Sequence, residues 1–342
     1  MLMNNTEYLK IVDDIRLKIK AAQHKAILAA NNELIMLYWN IGTVINEHSV
    51  WGNKFIENLA RDIKHDFPNA TGYSVRNLKY MAKFAKLFPD FQIVQTVFAQ
   101  LTWSHNVALM DKVKDNELRI WYARQAIEDG WTLSILEYQI EYKLYERQAV
   151  VQKATNYELR LPSPQGELAE HMLKDPYVFD FVEYRKGMAE REIENELVNN
   201  VTKLLLELGT GFAFVSNQYH IEIENEDFYI DLLFYNLKLH CYVVIELKSG
   251  NFKPEYAGKL NFYISAVDDL LKTERDNPTI GILLCRNKKG MIAEYALRDI
   301  EKPIGVSEYS MFDTLPKEYE NILPSAEDIE RRIGLSIEDI EE

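Results

Sequence analysis

Cysteine is nearly missing from this chain: Cys241 and Cys285 are the only two in 342 residues. Both fall inside apolar, strand-like runs, which excludes a disulfide scaffold and a thiolate metal cluster and leaves buried, reduced thiols as the expectation. Long hydrophobic runs are missing as well. No window approaches twenty uninterrupted apolar residues, and the first residues lack a basic stretch followed by an apolar one, so neither a membrane span nor a secretory signal is expected and a cytoplasmic location is. The glycine loop of a phosphate-binding site, the Gly-x-Ser-x-Gly elbow and the zinc-type His-Glu-x-x-His are all absent. Positive charge is short too: 39 Lys and Arg stand against 53 Asp and Glu, a net charge of -14. That balance argues at first against a polyanionic partner. The deficit is uneven, however. Residues 1–160 hold 20 Lys and Arg against 18 Asp and Glu, residues 161–342 hold 19 against 35, and the last stretch, 317–342, holds nine acids and three bases.

What is present centres on two apolar runs in the second half. The first is Phe228-Tyr229-Ile230-Asp231-Leu232-Leu233-Phe234-Tyr235 and the second Cys241-Tyr242-Val243-Val244-Ile245-Glu246-Leu247-Lys248. β-Branched and aromatic residues dominate both, the composition of strands. Side chains alternate across a strand, so Glu246 and Lys248 share one face with Tyr242 and Val244. A carboxylate and an ammonium emerging together from an apolar strand cost desolvation energy, and chains keep such groups where they pair or perform chemistry. With Asp231 on a neighbouring strand, two hard oxygen ligands converge, a set suited to Mg²⁺ or Mn²⁺, with Lys248 beside a water nucleophile. Glu-x-Lys alone is weak: Glu141-Tyr142-Lys143 repeats it on a stretch of helical spacing, where a solvated face is expected.

The order Asp on one strand, Glu-x-Lys on the next, resembles the PDDEXK, or restriction-endonuclease-like, nucleases. Gly211–Val215, Asp227–Tyr235, Val244–Lys248 and Lys253–Tyr263 together resemble the YhcG-like family of PDDEXK nucleases, and Glu47–Gly52, Gly72–Leu78 and Leu101–Asn106 extend the similarity over nearly the whole chain. The resemblance implies an αβββαβ mixed-sheet domain. It also implies an acid on the first core helix facing the metal. In the segment 188–209, Leu197, Val198, Val201, Leu204, Leu205 and Leu208 define a buried stripe, and at about 100° per residue Glu190 and Glu194 project into it. Glu194 is the expected fourth catalytic residue and Glu190 its reserve. Strands are expected at 212–216, 218–223 and 279–285, with a helix through Tyr256, Leu260, Tyr263 and Val267. Lys259 occupies a helix position where the resemblance implies a polar residue near the substrate, but Glu255 lies four residues before it and an ion pair between them is the expectation.

Residues 1–160 read as helical, with apolar spacing of three and four over 7–47, 53–66, 74–88, 92–115, 116–129 and 132–153. The prolines and glycine of Leu159–Gly166 mark a linker, dividing the chain into a helical domain, 1–160, and a nuclease-like domain, 161–342, with a core of about 188–310. Ser74 is an expected N-cap. Arg76, Lys79, Lys83 and Lys86 then form a cationic stripe opposite Met81, Phe84, Ala85 and Phe88, similar to the recognition element of a helix-turn-helix domain and the candidate nucleic-acid-binding face. Within Gln100–Asn106, His105 has no paired acid and reads as a core group. The expected activity is a metal-dependent DNA endonuclease using Asp231, Glu246, Lys248 and Glu194, with the Leu247 carbonyl assisting Asp231 and Glu246 at the metal. DNA is the expected partner, a homodimer is plausible for double-strand cutting, and restriction or repair proteins are candidate associates. The competing reading is a catalytically silent, nucleic-acid-binding accessory protein on the same scaffold, which the acidic second half favours.

Overall fold

The computed structural model of the chain describes residues 5–48, 54–184 and 187–311. The stretch Ser49–Gly52 of one family-like motif and the acidic segment 317–342 lie outside them. The chain divides into two compact units, Met1–Tyr145 and Glu146–Glu342, each considered by itself below.

The elements among the described residues of the first unit are all helical: α1 (Asn5–Glu47), α2 (Lys54–Asp66), α3 (Val75–Leu87), α4 (Phe91–Thr96), α5 (Trp103–Lys112), α6 (Asn116–Glu128) and α7 (Leu133–Glu141), with a short 3₁₀ turn at Phe98–Gln100. Only the last part of α1 enters the core. Ile35, Tyr38 and Ile45 are buried there, Asn31 Nδ2 donates to the Ala99 and Leu101 carbonyls, and Gly42 lets α1 lie directly against the Met81 backbone of α3. A core of Phe84, Phe88, Phe98, Leu109, Tyr122 and Leu136 closes the bundle. The expected helix over 92–115 is three pieces, because the chain turns extended at Leu101 and restarts at Thr102, while buried Asn106 donates back to Phe98 O. The helix expected over 132–153 stops at Glu141, where Lys143 adopts φ 48, and a short π-turn occupies Glu146–Val150.

The second unit is built on a mixed sheet in the order β1-β7-β6-β5-β4-β3, with β2 also pairing β7. Its strands are β1 (Ala154–Thr155), β2 (Tyr177–Phe179), β3 (Phe212–Ile223), β4 (Glu226–Asn236), β5 (Cys241–Leu247), β6 (Ile280–Cys285) and β7 (Ile304–Met311). The helices are α8 (Tyr157–Arg160), α9 (Gln165–Met172), α10 (Glu190–Asn199), α11 (Val201–Leu208), α12 (Pro254–Leu270) and α13 (Gly290–Leu297). β3, β4 and β5 form an antiparallel meander, whereas β5, β6 and β7 run parallel through α12 and α13. Helices cover both faces, which is why β5 and β6 read as near-continuous apolar runs. Val243, Ile245 and Leu247 pack with α10 and α11, and Val244 packs with α12. Gly281 on β6 makes the second contact possible: a Cβ there would stand 2.6 Å from Ile264 Cδ1 and 2.9 Å from Leu260 Cγ of α12.

Three expectations change here. The boundary falls between 145 and 146 rather than at 160, because Ala154 and Thr155 pair with Val306 and Gly305 of β7 and Tyr157 is fully buried in the sheet's core. Buried Asn156 secures the same segment, donating to the Ile300 and Lys302 carbonyls and accepting from Ile304 N. The single helix over 188–209 is two, broken at Asn200, whose side-chain amide bonds the Glu196 carbonyl. The two strands expected at 212–216 and 218–223 are one, irregular between Phe214 and Ser216 and carrying Gln218 at φ 46.

Candidate active site

The site forms where β4 and β5 part. Their ladder runs from Asn236 opposite Cys241 to Leu232 opposite Ile245. One step further the backbone pairing stops, and the Asp231 side chain takes over: its Oδ2 accepts from Leu247 N at 2.9 Å. This puts the Asp231 carboxylate beside the residue that separates Glu246 from Lys248. On its other side β5 stays bonded to β6, with Lys248 N donating to Leu284 O at 2.8 Å. Two carboxylates are thereby gathered at the C-terminal end of a central strand, the usual site position in open α/β sheets.

Glu246 is fully buried. Its Oε1 accepts from Lys248 Nζ at 2.8 Å and from Lys259 Nζ at 2.6 Å, while its Oε2 has no hydrogen-bond partner. Lys259 therefore reaches the site from α12, and the ion pair expected with Glu255 does not form; Glu255 lies near Lys253 instead, at 3.8 Å. Lys248 Nζ also donates to Glu190 Oε2 at 3.0 Å and to Leu247 O at 3.0 Å. Glu190 continues to the Ser249 amide at 3.1 Å, so the residue held in reserve is the one that touches the lysine.

Glu194 is buried but stands one side chain further off. Asn217 Nδ2 and Gln218 Nε2 donate to its two oxygens at 3.2 and 2.5 Å, and Gln218 Nε2 makes a long contact of 3.4 Å with Asp231 Oδ1. Among the described residues no group of three or more acids, histidines or cysteines is gathered closely enough to hold an ion. The expected convergence of Glu194 with Asp231 and Glu246 is thus replaced by a Gln218 bridge. Gln218 achieves this from the left-handed region, a conformation that costs a non-glycine residue about 1–3 kcal/mol and persists where its surroundings enforce it.

The electrostatics follow from burial and from two acids sharing one place. Burial, then the Glu246 charge, push the Asp231 carboxyl up to about 6, against the opposing pull of the Leu247 amide, Lys248 and Lys259. For Lys248, burial works against the ammonium, but the Glu246 charge and the hydrogen bonds to Glu246 and Glu190 more than offset it and hold the amine above its ordinary range. Lys259 is raised by the same contest with Glu246. Both lysines are ammonium ions at neutral pH, able to donate and to neutralise charge but not to accept a proton.

A divalent cation fits this donor set. Glu246 Oε2 is buried with no partner, Asp231 Oδ1 has only its long contact with Gln218, and Leu247, the residue after Glu246, donates its backbone N–H to Asp231 Oδ2. A buried carboxylate oxygen with no donor is costly unless something positive or protic meets it.

From the sequence, Lys259 is set aside in favour of an ion pair with Glu255, and Gln218 is not identified as a site residue. Lys259 carried a usable signal: on α12 it lies about 75° from the centre of the stripe Leu260, Tyr263 and Val267, closer than Glu255 does. Gln218 carried none, because its direction depends on the irregularity in β3. In the first unit, α3 buries Leu78, Met81, Phe84 and Ala85, and Arg76, Lys79, Lys83 and Lys86 are exposed, as the pattern implied. Lys83 is engaged with Asp111 at 2.8 Å, and the connection Phe67–Ser74 is longer than the roughly 3–4-residue turn of a helix-turn-helix. His105 is a core group, between Thr102 Oγ1 at 2.7 Å and Trp131 O at 3.1 Å. Glu141 and Lys143 are exposed, and both cysteines are buried thiols raised to about 12 by that burial. Among the described residues no helix is long and apolar enough to cross a membrane.

Residues 170–324 match the profile of the YhcG PDDEXK nuclease domain, and residues 14–147 that of the DUF1016 N-terminal domain. The chain is 28% identical over 341 residues to the protein named "Putative nuclease YhcG" of Escherichia coli (strain K12), covering 89% of this chain and 90% of the relative. Two solved structures, a repair endonuclease from Pyrococcus abyssi and an EndoMS-dsDNA2 complex, are each 17% identical, with TM-scores of 0.25 and 0.26. Each match covers 38% of this chain and 48% of the other, about half its length.

Proposed function

We propose, from the match of residues 170–324 to the profile of the YhcG PDDEXK nuclease domain, that the chain is a metal-dependent DNA endonuclease whose working groups are Asp231, Glu246, Lys248 and Lys259, with Glu190 and Glu194 as supporting acids. One observation carries this reading: the fully buried Glu246 has one oxygen held by two ammonium groups and the other without any donor. A purely structural ion pair has no need of that spare oxygen, and leaving it bare costs stability. Asp231 and Glu246, with the Leu247 carbonyl, would hold Mg²⁺ or Mn²⁺, which when bound supplies Lewis-acid polarisation of a phosphate and acidification of a water.

The chain's own residues account for the rest. Lys248 orients the attacking water and offsets negative charge growing on the phosphoryl oxygens, and its raised pKa keeps it charged for that task. Glu190, bonded to the Lys248 ammonium and the Ser249 amide, fixes where that charge points. Lys259, half-exposed and on the other side of Glu246 Oε1, is free to turn toward a phosphate once Glu246 has another positive partner. The exposed α3 stripe of Arg76, Lys79 and Lys86 supplies the sequence-independent hold on the duplex backbone that the acidic second unit lacks.

Purified protein should nick or cut plasmid DNA with Mg²⁺ or Mn²⁺ and not with EDTA. Lys248→Ala should abolish cutting while leaving the folded circular-dichroism spectrum intact; cleavage by this variant at the parental rate would end the catalytic assignment. The accessory-scaffold reading draws on the two lysines that already neutralise Glu246 without an ion. Calorimetric titration with Mn²⁺ separates the two, since a scaffold shows no binding that Asp231→Ala removes.

A further inference from the structure

None of the described side chains of residues 8–30 of α1 is buried: apart from a half-buried Val12 they are exposed, among them Ile15 at 49%, Leu17 at 67% and Ile19 at 53%. A helix of 43 residues that packs only its last third leaves a long segment with no tertiary support, although packing of an apolar face is the main source of helix stability in proteins. One seam of the exposed segment is continuously apolar, and Ile11, Leu17, Ile27 and Leu28 are exposed off it. Tyr8, Val12, Ile15, Ile19, Ala22, Ala26 and Ala29 follow one another at strictly alternating spacings of four and three. This is the a/d seam of a heptad repeat, with Val12, Ile19 and Ala26 at a and Tyr8, Ile15, Ala22 and Ala29 at d. The seam ends where Asn31 bonds the Ala99 and Leu101 carbonyls and α1 turns its buried stripe to the bundle.

We propose that this seam is a self-association surface: two copies of the chain pair through residues 8–29 of α1 as a parallel, two-stranded coiled coil. The period itself selects the occupant. A 3.5-residue repeat stays in register only against another supercoiling helix, whereas a bilayer or a sheet calls for a broader face. The seam alanines at 22, 26 and 29 are too small to fill a wider core and let two backbones approach closely, which favours two strands. Charge sets the direction. In a parallel pair the flanking Lys18 meets Gln23 of the other copy and Lys25 meets Ala30, so no like charges oppose, whereas an antiparallel pair turns Lys18 and Lys25 of the two copies toward one another. The seam is roughly 33 Å long at 1.5 Å per residue. It offers a smaller surface than the roughly 20–30 residues a side of a standard interface, so dissociation on the order of micromolar is expected.

Sedimentation equilibrium of the full chain from about 1 to 100 µM tests this. The expected result is a monomer–dimer equilibrium that Ile15→Glu with Ile19→Glu abolishes, while Leu17→Glu, on the same helix but off the seam, leaves it unchanged. All three positions are exposed in the monomer, so unaltered thermal melts should confirm that folding is untouched. Orientation is read from Ala22→Cys, which should crosslink to a covalent dimer on mild oxidation, against a low background because both native cysteines are buried. A chain that stays monomeric at 100 µM, including one that binds anionic vesicles instead, overturns the proposal, as does a dimer indifferent to the seam charges. A dimer that is lost with the Ile15/Ile19 pair, yet yields no covalent species in the Ala22→Cys variant, overturns the parallel arrangement.

Discussion

Replacing Asp231 by Asn isolates the energetic cost of assembling the site. The Asp231 carboxyl is pushed up to about 6 in the folded chain, first by burial and then by Glu246, against about 3.9 for an aspartate in an unfolded one. The folded state therefore binds this proton more tightly than the unfolded state. Its contribution to stability is complete below about pH 4, declines as pH rises toward 6 and is lost above that. A shift of about two units corresponds to about 3 kcal/mol, an upper bound because the surroundings relax around the charge. Asn keeps an oxygen for the Leu247 amide but carries no charge at any pH. In EDTA the variant should melt with the parent at about pH 3.5 and increasingly above it by pH 7.5, by up to roughly 6–12 °C for a unit of this size. Scanning calorimetry across that pH range provides the comparison, and Mn²⁺ should narrow the difference by stabilising the parent alone. A variant no more stable than its parent at pH 7.5, or an advantage that does not vary with pH, would refute the reasoning.

Lys259→Gln removes one of the two ammonium partners of Glu246 Oε1 and should slow cleavage at least tenfold with little change in melting temperature; unchanged turnover would make Lys259 a bystander. Gly281→Ala sets a methyl against Ile264 and Leu260 and should cost about 1–3 kcal/mol in urea titration by overpacking, an unaltered midpoint being the contrary result. Lys79→Glu with Lys86→Glu should weaken binding to duplex DNA of any sequence and flatten its salt dependence by roughly 0.9 for each phosphate no longer neutralised, and equal affinity at low salt would remove α3 from the interface.

The parts of the fold legible in the sequence are those fixed by short-range periodicity. Alternation in β5 was enough to set Glu246 and Lys248 on one face, and helical spacing was enough to expose the α3 cations. Where geometry depends on a neighbour distant in sequence, the pattern failed. Lys259 read as the partner of Glu255 because a spacing of four is visible in one dimension, whereas its approach to Glu246 depends on how α12 crosses the sheet. Gln218 was invisible for a similar reason: an irregular strand reorients one side chain without leaving a period to detect. The break at Asn200 and the restart at Thr102 arise from side-chain amides competing with the helix ladder, which propensity counts only weakly. The domain boundary was misplaced because prolines mark a change of direction and not the end of a unit, and Ala154 and Thr155 have too few residues to announce a strand.

The pairing of β1 and β2 with β7 sets a timetable for biosynthesis. Ala154 is opposite Val306 and Tyr177 opposite Tyr309, so each early strand leaves the ribosome well over a hundred residues before its mate. At about 5–20 residues per second that is a wait of roughly 7–30 seconds, during which Tyr157, Tyr177 and Phe179, all fully buried in the finished unit, have no sheet to cover them. Completion of the described sheet therefore depends on β7, the last of the described strands to be translated, and a ribosome stalled before residue 304 releases a nascent chain with its stickiest aromatic segment still uncovered, a natural client for a holdase.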